Sequence, residues 1–102
     1  NTARGGLLGK TVDKAARDVI DGAGYKGCFG HATGHSLGLE IHESPNFSPK
    51  EERVVPCGAV VSVEPGIYIP EKCGVRIEDI VFLTENGCKN LTNSTKEFII
   101  IK

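Results

Sequence analysis

A chain of 102 residues allows one domain with a single modest core. With 39% hydrophobic and 25% charged residues and a formal charge of −1, it lacks the basic excess of a phosphate-backbone binder, so no nucleic acid is expected. Its longest apolar runs, Ile80 to Leu83 and Phe98 to Ile101, are too short to cross a bilayer, so no membrane is expected.

The first nine residues are glycine-rich. Gly5-Gly6-Leu7-Leu8-Gly9-Lys10-Thr11 looks like a phosphate-binding loop, but Arg4 stands where that loop needs its first glycine and no strand precedes it, so nucleotide binding is not expected. From Thr11 the pattern turns helical over residues 11–24. Thr11 can cap, Asp13 favours the positive helix end, and Val12, Ala15, Ala16, Val19 and Ile20 form an apolar stripe that Gly22 and Gly24 bring to a stop. From Leu37 to Glu43 the alternation is strand-like. Ser44 to Cys57, with Pro45, Pro49, Pro56 and a charged run, reads as a surface loop. Ala59 to Glu64 is a β-branched strand whose last residue is held extended by Pro65. Val75 to Thr84 reads as the longest strand, Asn86-Gly87 as a tight turn and Phe98 to Ile101 as a closing strand. One helix followed by a mainly antiparallel sheet over 37–101 is an α+β arrangement.

Four cysteines at 28, 57, 73 and 88 form no Cys-x-x-Cys pair, and with no secretion signal at the amino end they are expected to be reduced and structural in a cytoplasmic protein. The absence of any methionine, together with a metal cage short of ligands, leads to the expectation of a carboxyl-terminal piece of a longer polypeptide.

The chemistry concentrates in three blocks. His31, His35 and His42 fall within twelve residues, interleaved with Gly30, Gly34 and Gly38, which allow close approach of backbone or ligand. Glu64 ends an apolar strand, and Glu78 lies inside another, where an unpaired carboxylate would be heavily penalised. An ion pair with Arg76 would explain Glu78 alone; a divalent cation would explain both glutamates.

These blocks, Gly-His-Ser-Leu-Gly-Leu-Glu-Ile-His-Glu (34–43), Glu-Pro-Gly-Ile-Tyr (64–68) and Gly-Val-Arg-Ile-Glu-Asp (74–79), resemble the pita-bread metallopeptidases, the family of methionine aminopeptidase, aminopeptidase P and prolidase. The likeness runs over residues 11 to about 88 and, with Arg76 in the last block, looks like the proline-specific branch. It implies the carboxyl-terminal half of a pita-bread fold and the following roles. His35, Glu64 and Glu78 would be metal ligands, with Glu64 also the acid/base partner of the attacking water. His42 would contact substrate and stabilise the tetrahedral intermediate, His31 would line the pocket, and Arg76 would orient Glu78 or the substrate end. Two divalent ions are implied, manganese or cobalt first, with zinc or iron as further options. The substrate would be a proline-containing peptide, cut before proline by an Xaa-Pro dipeptidase or aminopeptidase. The family's site also uses two aspartates upstream of its histidine, which this chain lacks, as Asp13, Asp18 and Asp21 lie on the expected helix. The chain alone is therefore expected to bind metal weakly and to be inactive, and its uncovered apolar face suggests a homodimer. Two alternatives stay open: a mononuclear iron site drafted from His35, His42 and Glu64, and a non-catalytic relative that binds peptides or partners.

Overall fold

The computed structural model describes residues 2–37 and 43–97. Strand β1 (Leu7–Leu8) leads directly into helix α1 (Gly9–Ile20). The helix begins two residues before the expected Thr11 cap because it needs no capping side chain. The Gly9 and Lys10 N–H groups donate to the carbonyls of Arg53 and Glu51, at 3.0 and 2.9 Å. It runs on through a wider π-helical turn (Asp21–Tyr25), within which Gly24, at φ 95°, leaves the helical conformation. Val12 and Ile20 are buried and Ala15 and Ala16 half-buried, as the stripe requires, but Val19 is 73% exposed and the buried polar member of this helix is Asp13.

Strands β2 (Gly34–Ser36), β3 (Glu43–Phe47), β5 (Val60–Val63), β8 (Asp79–Leu83) and β9 (Cys88–Asn90) form an antiparallel sheet in the order β3-β2-β5-β8-β9. Strand β4 (Val54–Val55) pairs with β1 as a separate ribbon. The expected surface loop over 44–57 therefore holds two strands, and its Phe47 and Val55 are fully buried in the core with Val12, Val61, Val81 and Leu83. Pro45 fits inside β3 because this strand lies at the edge of the described sheet, where a missing N–H breaks no ladder. The expected strand over 37–43 falls almost wholly on residues outside those described, and so does Phe98 to Ile101. None of the four cysteines is paired; three are exposed and Cys28 is half-buried, so they are not core thiols.

The long strand expected over 75–84 is interrupted. Strands β6 (Gly66–Ile69) and β7 (Cys73–Arg76) make a two-stranded ribbon, and the chain re-enters the main sheet as β8. The ribbon pairs Gly66 with Arg76, and the sheet pairs Val63 with Asp79. Both pairings belong to one register, so the interruption sets Glu64 opposite Glu78 and Pro65 opposite Ile77, whose N–H reaches the Pro65 carbonyl at 3.4 Å. Beyond β8, residues 84–87 close the expected turn, with the Thr84 N–H donating to the Gly87 carbonyl at 2.9 Å.

Candidate metal and substrate site

Gly34 brings β2 close to β5. A methyl group in its place would collide with the Ser62 carbonyl oxygen, and the next residue donates its N–H to Ser62 Oγ at 3.0 Å. That next residue is His35, and its Nε2 stands 3.7 Å from Glu64 Oε1, both side chains about one-sixth exposed or less (16% and 14%). Gly30, by contrast, has open space around it, so its expected close approach is not seen, and Gly38 lies outside the described residues.

Glu78 meets Glu64 across the interrupted hairpin. Glu78 is exposed rather than enclosed in an apolar strand, yet a side-chain hydrogen bond to Glu64, then some desolvation, then the Glu64 charge hold its carboxyl above the usual range, against the opposing influence of His35 and Arg76. Two carboxyl groups facing each other share a proton or a cation; both fully ionised, they repel. His31 lies nearby, its ring edge-on to Phe29 and to Tyr68, with centroids 4.9 and 5.5 Å away. Its Nδ1 is 2.8 Å from the Ala32 carbonyl, which can only accept, so Nδ1 carries a proton. The other nitrogen, Nε2, is buried and finds no hydrogen-bond partner among the described residues. Arg76 projects beside Tyr68, its guanidinium carbon 5.9 Å from the ring centroid. A cavity of about 340 Å³ is lined by His31, His35, Asn46, Glu64 and Arg76 among others.

Of the residues singled out in the sequence, His31, His35, Glu64 and Arg76 thus share one cavity, and Glu78 touches it through Glu64. His42 lies outside the described residues. Among the described residues no group of three or more His, Cys, Asp or Glu side chains is arranged to hold a metal ion; the approaches are pairwise, His35 to Glu64 and Glu64 to Glu78. The donors nevertheless suit a hard-to-borderline divalent cation, as two carboxylates and imidazole nitrogens do. Sequence reasoning missed Ser62, Thr33 and the pair of buried Asp13 with half-buried Arg17. The signal for that pair was an acid and a base at i,i+4 beside the apolar stripe.

Residues 1–85 match the model of metallopeptidase family M24, and the chain belongs to that family, with the α+β pita-bread fold. It is 53% identical over 96 residues to the uncharacterised peptidase YqhT of Bacillus subtilis, covering 94% of this chain and 27% of that protein. It is 48% identical over 97 residues to the Xaa-Pro dipeptidase of Pyrococcus furiosus, covering 95% and 28%. Among solved structures, the Xaa-Pro dipeptidase from Bacillus anthracis superposes with a TM-score of 0.95 at 48% identity, covering 99% of this chain and 28% of that one. An X-Pro aminopeptidase from Thermotoga maritima gives a TM-score of 0.91 at 42% identity, with 97% and 28% covered. The chain spans a little over a quarter of the length of these relatives. No helix among the described residues is long and apolar enough to cross a membrane.

Proposed function

We propose that this chain is the carboxyl-terminal share of the catalytic domain of a dinuclear Xaa-Pro peptidase that hydrolyses the bond before proline. The observation that carries this reading is the facing of Glu64 and Glu78 with His35 Nε2 3.7 Å from Glu64. In it, His35, Glu64 and Glu78 hold the divalent ions, with manganese or cobalt favoured, and the remaining ligands are aspartates of the longer polypeptide. When bound, such ions activate water and polarise the scissile carbonyl.

The residues of this chain supply binding and proton transfer. Glu64, close to a carboxyl that already favours its proton, is suited to accept a proton from water and deliver one to the proline nitrogen, a poor leaving group until protonated. His31 lines the cavity and helps shape the substrate pocket. Arg76 steadies the Glu78 carboxylate or the substrate's carboxyl end, and His42 contacts substrate. The reading extends to a cytoplasmic homodimer; dimerisation is supported by an apolar groove along Val19, Ile67, Val75 and Ile77.

The test compares two purified proteins, this chain and the longer polypeptide that contains it, on Xaa-Pro dipeptides with manganese or cobalt. The longer protein is expected to hydrolyse them and its Glu64→Gln variant to lose at least a thousandfold in kcat, while the 102-residue chain alone shows no turnover. Metal-dependent turnover by the chain alone would overturn the divided site. Inactivity of the longer protein towards every Xaa-Pro peptide would favour the non-catalytic relative.

A further inference from the structure

Asp13 with Arg17 is a polar pair that this mechanism leaves unused. Asp13 is 1% exposed, and its carboxylate accepts four hydrogen bonds. Arg17 donates two, from Nε at 2.9 Å and Nη2 at 3.1 Å; Thr33 donates two, from its backbone N–H at 3.0 Å and from Oγ1 at 2.9 Å. The guanidinium continues outward to the carbonyls of Phe29 and His31, at 2.8 and 3.0 Å, and lies 4.2 Å from the centre of the Phe29 ring. The Thr33 carbonyl then receives the Glu64 N–H at 2.6 Å.

An i,i+4 pair on an open helix face contributes little. This one is forked, with its carboxylate buried and its guanidinium a quarter exposed, so the acid's place is tightly specified. Its outward bonds also converge on one short stretch of backbone, residues 29–33, which carries the His31 ring and leads into His35. We propose that Asp13 and Arg17 are positioning residues for the candidate site: from the helix they fix the Phe29–Thr33 backbone, and with it the place of the His31 imidazole and the Glu64 amide. Only the use of those groups on metal and peptide rests on the function proposed above; the positioning itself does not.

Amide hydrogen exchange of the metal-free chain, followed by NMR, tests this directly. In Asp13→Asn, exchange at Thr33 and Glu64 is expected to quicken at least tenfold more than at Leu83 and Leu91, whose N–H groups donate to the Ala59 and Ile80 carbonyls within the sheet. Equal acceleration at all four amides would mean general loss of stability and would overturn the proposal. Should Asp13→Asn fail to fold, Thr33→Val deletes only the hydroxyl bond. It is expected to quicken Glu64 exchange severalfold, with Thr33→Ser restoring protection; an unchanged Glu64 amide in Thr33→Val also overturns the proposal. Added Mn²⁺ provides the separate arm. Paramagnetic broadening near His35 and Glu64 in the wild type, weakened in Asp13→Asn, supports positioning for metal. Its absence from the wild type counts against the metal reading of this chain, and the exchange contrast alone then decides the positioning.

Discussion

Replacing Glu78 by glutamine separates what this carboxyl does to the fold from what it does at the site. Glu78 lies directly across from Glu64, and like charges at such a position destabilise a sheet by a few tenths to about 1 kcal/mol. Glu78 is an exposed residue, so solvent screening trims this, and Arg76 and His35 already offset part of it. Glutamine keeps a donor for the Glu64 carboxylate without needing a proton. The expected gain is therefore about 0.5 kcal/mol, or roughly 2–4 °C in Tm for a chain of this size.

The pH dependence has a definite sign. The folded chain holds the Glu78 proton more tightly than the unfolded chain does. The pair's favourable contribution is complete below the unfolded carboxyl value of about 4.3 and is lost as pH rises through the raised folded value. The advantage of Glu78→Gln should accordingly be largest at neutral pH and vanish near pH 4. Thermal melts in EDTA across that range measure it. Millimolar Mn²⁺ should then raise the wild-type Tm more than that of the variant, because the variant has lost a ligand. A lower Tm for Glu78→Gln at pH 7.5 in EDTA, or a difference independent of pH, would refute the facing-carboxyl argument.

The remaining predictions concern the scaffold. Glu51, 6% exposed, accepts the Asn46 N–H at 2.9 Å and two guanidinium bonds from Arg53, also at 2.9 Å. Chiefly the Arg53 bonds hold its carboxyl below the usual range, so its contribution is present above about pH 4.3 and is lost as pH falls through the depressed folded value. Glu51→Ala should cost about 1–3 kcal/mol in urea unfolding at pH 7 and flatten the acid limb of stability. Gly34→Ala should be strongly destabilising, by about 2 kcal/mol or more, because the methyl meets the backbone of Ser62 rather than a side chain that can swing away. Leu83→Ala, at a fully buried position, should cost about 2–5 kcal/mol by the same measurement.

Much of the candidate site was legible because its chemistry is local: the histidine block and the Glu-Pro-Gly and Arg-Ile-Glu blocks named His31, His35, Glu64 and Arg76, which line one cavity. The opposition of Glu64 and Glu78 was also within reach. Pro70-Glu71-Lys72 is a turn, with Glu71 at φ 63°, and counting outward from it along two alternating strands pairs the two glutamates. Reading residues 75–84 as one uninterrupted strand hid this, because an apolar run does not mark where a strand changes sheet. Phe47 and Val55 were hidden for a different reason. Prolines were read as loop markers, whereas an edge strand accommodates Pro45. Asp13 escaped because a helix acid is ordinarily solvated, and its burial is set by residues 29–33, which are remote in sequence.

The interruption between β5 and β6, matched by that between β7 and β8, leaves two short connections between sheet and ribbon, and each bears one glutamate. Any cation drawing the two acids together would act on both connections at once, at the foot of a ribbon whose Tyr68 N–H is tied to the Cys28 carbonyl at 2.8 Å.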